Sequence, residues 1–331
     1  MKSMVFEDRI YGQIRIDDPM ILELIRSRPF QRLKKINQYG GVNFIYLDKY
    51  QISRYEYSIG VWWVLKTLGV DLETQIAGLL HDVGHAALSH MVDMAMSDEY
   101  EDYHERNRHR IDDWEDINKI LRRHKIRIGN PDDYPEIKKS LPDIGADRFD
   151  YAIRDYVGAT NKKRSLGLKA LKAIRLEGRD VVFTNTKVTK EFALTGLQAM
   201  WFVIYEPSVA VVYQAVIEMI RLGVKDGWIT EDDLFENDSF LLTKFKRNRN
   251  RIPAQYVNIF LKPFIVKNGS QEDHDFHHVK LKARFFDPTV LTEGHKVRLS
   301  KVDRDFAQEL KHWIDIFEKG KSGQYYKIAF L

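Results

Sequence analysis

Apolar and polar positions along the chain fall into two textures. Up to about residue 224, apolar residues recur mainly at helical spacing, and from about Lys225 they break into short strand-like runs around one helix. Residues 5 to 18 alternate as a short strand or hairpin would, with Gly12 between Ile10 and Ile14. Asp18-Pro19 supplies a cap and first-turn pair for a helix through Ile25. Pro29 starts a second helix carrying Phe30, Leu33 and Ile36, which should end near Gly40-Gly41. Helices are also predicted over Ser58–Leu68, Leu72–Leu80 and Trp114–His124, and over Ile144–Val157 with Gly158 as its stop. Ala173–Val188 has a hairpin pattern around Glu177-Gly178, and Leu194–Leu222 reads as buried helix that Pro207 should break or kink. Beyond Lys225 the strand-like runs are Tyr256–Leu261, Val279–Phe286, Lys296–Leu299 and Tyr325–Phe330, around a helix at Asp303–Phe317. These patterns predict a mainly α chain, with a helical domain over 1–224 and a smaller α+β region over 225–331.

Composition narrows the function. A chain of 331 residues that is 44% hydrophobic can bury a large core. Its 52 basic and 48 acidic residues leave a net charge of only +4, which gives no reason to expect a nucleic-acid partner. The absence of cysteine removes disulfides, thiolate nucleophiles and Cys-based zinc sites, so any metal must use His, carboxylate or oxygen. Met1–Arg9 is charged with no apolar segment after it, and Phe192–Tyr205 falls short of the roughly 20 residues a membrane helix needs. A cytoplasmic protein without membrane contact is the expectation. The basic run Lys244–Arg251 could bind phosphates but reads first as a solvated loop, and most of the charge in 98–116 as a solvated face.

The chemistry concentrates in residues 81–90, His-Asp-Val-Gly-His-Ala-Ala-Leu-Ser-His, which hold three imidazoles and a carboxylate. His81 and Asp82 should emerge at the end of the Leu72–Leu80 helix, where Gly84 permits a sharp change of direction. Adjacent helical side chains diverge by about 100°, so one ion can be shared by both only where the backbone bends or the side chains differ in reach. Downstream, Asp147, Tyr151 and Asp155 recur at i, i+4 and i+8 on one helical face. An exposed acidic face is the plainer reading of the three, and the aromatic residue between two aspartates gives a stripe facing a site at least equal weight.

With this cluster and the Asp-bearing helix in place, the chain resembles the HD-domain metal-dependent phosphohydrolases, and within them the dGTP and dNTP triphosphohydrolase group. The resemblance runs from about Arg28 to Pro288. It rests on Arg32–Gly40, on Arg54-Tyr55-Glu56-Tyr57-Ser58, on the 81–90 cluster and on Asp147-Arg148-Phe149-Asp150-Tyr151. It implies a helical HD core with a small α+β appendage, and a nucleotide substrate whose phosphorus is attacked by metal-activated water. His81, Asp82 and Asp147 would be the metal ligands. His85, His90, Asp93, His104 and Glu105 match the positions around phosphate transfer and proton movement, Arg54 and Arg148 match phosphate contacts, and Gln38, Tyr151, Asp155 and Tyr205 match the sugar and phosphate pocket. Homo-oligomers are also implied by the resemblance.

The departures carry information. Where the family has Arg-Phe-Glu-His-Ser, Tyr57 replaces the first histidine ligand, which leaves an oxygen-richer set and shifts preference from zinc, iron or nickel toward manganese or magnesium. The family's Tyr-x-His-Lys is here Tyr205-Glu206-Pro207-Ser208, and Leu197 stands where an arginine is usual, so a triphosphate loses at least one clamp. An active (deoxy)nucleotide phosphohydrolase is the leading expectation. A nucleotide-binding regulatory protein that has lost turnover, and an HD phosphodiesterase acting on a cyclic nucleotide or nucleic-acid end, are the alternatives.

Overall fold

Local capping chemistry sets the helix boundaries. Asp18 accepts from the amides of Met20 and Ile21 and starts helix α1 at Pro19–Arg26. A short helix α2 (Arg28–Arg32) follows. Ser53 caps α3 (Arg54–Leu68), which Gly69 closes in the left-handed conformation, and Asp71 caps α4 (Leu72–Leu80). Helices α5 (His90–Met96), α6 (Tyr103–Asn107), α7 (Trp114–Arg123), α8 (Ala146–Thr160) and α9 (Arg164–Lys172) complete the first half. The computed structural model describes residues 3–97, 102–111, 114–162, 164–278, 284–320 and 324–331.

The N-terminal alternation is the hairpin of β1 (Met4–Asp8) and β2 (Gly12–Ile16). A second hairpin, β3 (Ile174–Glu177) with β4 (Asp180–Phe183), precedes α10 (Thr186–Met200). The chain then makes a π-helical turn over Trp201–Tyr205 and enters α11 (Pro207–Lys225). Glu206 caps that last helix by accepting from the Val209 amide at 2.9 Å, and the Ser208 hydroxyl also donates to it. After α12 (Asp238–Arg247) and α13 (Ala254–Asn258), strands β5 (Phe264–Asn268), β6 (Phe276–His278), β7 (Thr289–Thr292), β8 (His295–Arg298) and β9 (Gln324–Phe330) surround α14 (Leu299–Val302) and α15 (Arg304–Gly320). The strands form sheets of order β1-β2, β3-β4-β7-β8 and β5-β9-β6. β4 runs parallel to β7, so the second sheet draws on both sides of residue 225.

The expected mainly α architecture with a small strand-bearing C-terminal region is what the chain adopts. Helix α11 is long and apolar enough to cross a bilayer, but 61% of its apolar window is buried inside the protein, where it packs against α5. Several local expectations are corrected. The helix begun near Pro29 gives way to a 3-10 turn that ends at Lys35, ahead of Gly40-Gly41. α8 runs through Gly158 to Thr160 and is stopped by Asn161 at φ 57°, because an asparagine tolerates the left-handed region nearly as well as glycine. The hairpin after Ala173 ends at Phe183, since Asn185 caps α10 and takes Val188 into the helix. Tyr256–Leu261 is not a strand: Tyr256–Asn258 finish α13 and the rest is turn. Of the run Val279–Phe286, residues 279–283 lie outside the described residues, and 284–286 are irregular.

Candidate functional site

The end of α4 delivers the first ligand candidates. His81 takes the C-cap position, and its Nδ1 donates to the carbonyl of Gly78 at 2.7 Å. That bond fixes the proton on Nδ1 and leaves a lone pair on Nε2. Nε2 is buried without a hydrogen-bond partner, 3.3 Å from Asp82 Oδ1 and 3.7 Å from Asp147 Oδ1. Separations of this size between donor atoms suit a shared ion with bonds of about 2.0 to 2.2 Å.

The chain turns over His81–Gly84 as expected, but its positive-φ backbone lies further on. Gly84 has no positive φ, and a second turn takes that conformation at Leu88 (φ 57°) and Ser89 (φ 54°). Strain in non-glycine residues persists only where the surroundings hold it, and here the hold is visible. Asp238 Oδ1 accepts the Leu88 amide at 2.7 Å, and the Ser89 hydroxyl donates to Asn37 O while accepting from Arg54 Nε at 2.7 Å. The Arg32 guanidinium donates to the carbonyls of Val83 and His85.

α3 adds Arg54 and Tyr57. Arg54 Nη1 donates to Asp82 Oδ2 at 2.5 Å, while its Nη2 is buried without a partner. Burial opposes ionisation of Asp82, yet the Arg54 charge holds its carboxyl well below the usual range. The Tyr57 hydroxyl donates to Asp147 Oδ1. Burial raises the Asp147 carboxyl to about 6. Burial also lowers both His81 and His85, the latter further because of the Arg54 and His104 charges.

α5 and α6 build an imidazole stack. The His85 ring lies 3.7 Å from the His104 ring at 16°, and His90 meets His85 edge-on at 4.8 Å. Asp93, fully buried, accepts from His104 Nδ1 at 2.9 Å and from His90 Nδ1 at 3.1 Å. Burial opposes its charge, but those hydrogen bonds hold it far below the ordinary carboxylate range. Ligand atoms of His85, His90 and Asp93 lie within 4.8 Å of one another, a second His/Asp group that could hold a metal. Because Asp93 already accepts from two imidazoles, its carboxylate serves first to orient them.

α8 closes the site. Asp147, Tyr151 and Asp155 face one cavity of about 390 Å³ together with Gln38, Arg54, Tyr57, His81, Asp82, His85, His90, His104 and Glu105. Gln38 Nε2 is 3.5 Å from Asp155 Oδ1, and burial raises the Asp155 carboxyl to about 7. Three expected residues stand outside this lining. Asp93 sits behind the histidines. The Arg148 guanidinium donates to Tyr151 and to the carbonyls of Lys139 and Asp143, and it lines a neighbouring cavity instead. Tyr205 stacks on Phe317 of α15 at 4.7 Å, and the π turn presents Val203 and Ile204 to the cavity in its place, beside Met200 at the end of α10.

Pattern reading missed Tyr39, Asp102, Asp132, Lys138, Tyr213 and Arg284, which also line the cavity. Lys138 Nζ is 3.0 Å from Asp132 and 3.6 Å from Glu105. Lys138 and Asp132 come from the irregular 124–145 connection, where no periodicity marks a direction. Tyr39 is next to Gln38 in the Arg32–Gly40 stretch, and that adjacency is the signal for it in the sequence.

The comparisons agree with this geometry. The HD domain matches residues 54–155, the span from Arg54 to Asp155. The chain is 29% identical over 329 residues to the uncharacterized protein YdhJ of Bacillus subtilis, covering 98% of this chain and 99% of that one. It is 34% identical over 158 residues to the metal-dependent phosphohydrolase cns2 of Cordyceps militaris, covering 47% and 46%. Over 104 residues it is 35% identical to the deoxynucleoside triphosphate triphosphohydrolase SAMHD1 of Gallus gallus, covering 27% and 17%. The chain thus matches about half or less of those two enzymes. A crystal structure of a hypothetical protein from Aquifex aeolicus superposes with a TM-score of 0.66 at 19% identity, covering 100% of this chain and 96% of the other, a likeness of fold alone. Residues 54–155 thus match the HD domain, and over that region the chain is similar to metal-dependent phosphohydrolases of the HD superfamily.

Proposed function

We propose that this protein hydrolyses a phosphorylated (deoxy)nucleoside with the help of one divalent ion held by His81, Asp82 and Asp147. The observation that carries the reading is the buried lone pair of His81 Nε2, unpartnered between two carboxylates and close to the unpartnered Arg54 Nη2. Buried polar atoms left unsatisfied cost stability, so such a group of them points to a ligand. Two carboxylates and one imidazole favour manganese or magnesium over zinc, iron or nickel. A divalent ion there supplies positive charge against phosphoryl oxygens and acidifies water.

The chain's own groups do the rest. Arg54 Nη2 binds a phosphate oxygen. His104, oriented through Nδ1 by Asp93, and His85 and His90 beside it hold and deliver the proton that the leaving oxygen needs, with Glu105 as a further acceptor. Gln38, Tyr151 and Asp155 hold the sugar. The region 1–224 carries the chemistry and 225–331 covers it, in a cytoplasmic homo-oligomer.

The test is metal content of protein purified without added ions, followed by a nucleotide screen with phosphate and pyrophosphate detection. Bound manganese or magnesium and release of phosphate or pyrophosphate from deoxynucleotides in preference to ribonucleotides are expected. One observation favours a second reading, a nucleotide-binding regulatory protein: the Tyr57 hydroxyl already occupies Asp147. Nucleotide binding without turnover in any divalent metal would decide for it.

A further inference from the structure

The imidazole stack is assembled from two arms that a third segment ties together. His85 and His90 come from the loop after α4 and the start of α5, and His104 comes from α6. Both arms lie within the residues that match the HD domain, whereas the segment that touches both, 231–238, lies outside them. That segment makes a 3-10 turn at Asp232–Phe235 and then starts α12 at Asp238.

Its grip on each arm is specific. Toward the loop, Leu234 O accepts the Ala87 amide at 2.8 Å. Asp238, which is buried, divides its carboxylate between two backbone amides at 2.7 Å, Oδ1 to Leu88 and Oδ2 to Asn37. Arg32 adds a cross-link, donating to the carbonyls of Phe235 and Glu236 as well as to those of Val83 and His85. Toward α6, the Phe235 ring stacks on that of Tyr103, the neighbour of His104, at 6.0 Å and 25°. Arg110, which follows α6, pairs with Glu231 and Asp232 at 2.7 and 2.6 Å. The loop needs this hold, because Ser89 at φ 54° and ψ −134° occupies backbone space that residues other than glycine rarely enter. A carboxylate suits the place: each oxygen accepts a backbone hydrogen and neither has one to donate.

We propose that Asp238 is a positioning residue: through the backbone of Leu88 it sets His85 and His90 against His104. Proton delivery then depends on a carboxylate that lies outside the cavity lining and outside the HD-matching residues. The kinetic half of this inference rests on the phosphohydrolase reading, and the geometric half stands without it. Strained backbone keeps its form only while its surroundings hold it, and a displacement of about 1 Å at a catalytic group costs about 100-fold in rate.

The experiment compares wild type and Asp238→Asn as full chains with manganese, by turnover of the deoxynucleotide that wild type hydrolyses and by NMR of 13C-labelled histidine. Asparagine keeps the shape but turns N–H hydrogens toward one of the two amides. In Asp238→Asn kcat should fall by about 10 to 100-fold with KM changed by less than about 3-fold. The His85 and His104 ring signals, displaced by mutual stacking in wild type, should move toward the positions of free histidine, while that of exposed His295 stays. Ring signals that stay in place overturn the inference even if the melting temperature drops, since a purely structural role gives that result. Ring signals that move with kcat unchanged overturn its kinetic half and leave the phosphohydrolase reading standing. If wild type turns nothing over, that reading falls and the ring signals alone decide for or against Asp238. Should Asp238→Asn fail to fold, Asp238→Ser, which leaves room for water at both amides, decides on the same terms.

Discussion

Helix α8 presents the same residue types to two sides with opposite results. On one side Asp150 and Arg154 join Asp8 and Glu56: Arg154 Nε and Nη2 donate to Asp150 at 2.6 and 2.9 Å, Nη1 donates to Glu56 at 2.9 Å, and Asp8 Oδ2 lies 2.9 Å from Nη2. Gly60 on α3 makes room, since a Cβ there would fall 2.2 Å from Arg154 Nη2. On the other side Asp147 and Asp155 face the cavity, where His81 Nε2, His85 Nδ1 and Arg54 Nη2 are buried without partners. Every nitrogen of Arg154 is used inside the protein, whereas the site is left incomplete. The Arg154 network, in which Asp8 Oδ2 is held by charge without a hydrogen bond, fixes α3 against α8, whereas the cavity side keeps three unpartnered nitrogens.

Two substitutions should separate these roles. Asp82→Asn removes a ligand while keeping its shape, and should lower metal content to background and phosphohydrolase activity by about 10³-fold or more, with a small change in melting temperature. Arg154→Met should instead cost about 3 to 5 kcal/mol of stability, because Asp8 and Asp150 are left buried without their cation. Urea unfolding and metal analysis of both variants check this. Loss of metal in Arg154→Met with unchanged stability would mean that the division drawn between the two faces is wrong.

Much of this was legible in the sequence, for physical reasons that differ from place to place. Asp147, Tyr151 and Asp155 share a face because helical periodicity dictates it, and all three line the cavity. The order of Arg54, His81, Asp82 and Asp147 along the chain carried the family. Tyr205 was misjudged because a π turn changes the register of side chains without any residue that announces it. Pro207 and Ser208 read as lost clamps; locally Pro207 starts α11 and the Ser208 hydroxyl donates to its cap, Glu206. Arg284 was invisible because its place depends on Phe286 finding Gly196, a contact between residues 90 positions apart.

Tyr57 lies where the two faces meet, since its phenol donates to a carboxylate on the cavity side. A neutral phenol is a poor ligand at pH 7. Tyr57→His should raise metal affinity by about 10 to 100-fold and shift preference toward softer ions. Competition titrations with manganese and zinc measure this. A fall in both metal binding and activity would assign Tyr57 itself as a ligand or catalytic group.

Gly196→Ala tests the anchor that holds the C-terminal segment to the cavity side. The added methyl falls 2.7 Å from the Phe286 ring and 3.1 Å from Ala152 Cβ, so the ring must shift. A loss of about 1 to 3 kcal/mol is expected from overpacking. Unchanged stability in urea would show that the seat is looser than these distances indicate.

The smallest effect concerns pH, and it again sets the faces apart. Asp155 is raised to about 7, first by burial and then by the nearby Asp150 charge, against the neighbouring Tyr39 hydroxyl and the charges of Arg154 and Arg54. In the unfolded chain its carboxyl titrates near the ordinary value of about 4. Between about pH 4 and 7 the folded chain keeps a proton that the unfolded chain has lost, so stability falls as pH rises through that window and is flat outside it. Asn cannot ionise, and Asp155→Asn should therefore gain stability relative to wild type between pH 5 and pH 8. Because Asp155 lines a cavity that water enters, the gain should be on the order of 1 kcal/mol, less than full burial implies. Urea unfolding of both proteins at the two pH values measures it. A difference that stays constant with pH would place the Asp155 carboxylate, like Asp82, among the groups that are ionised throughout and held by neighbouring cations.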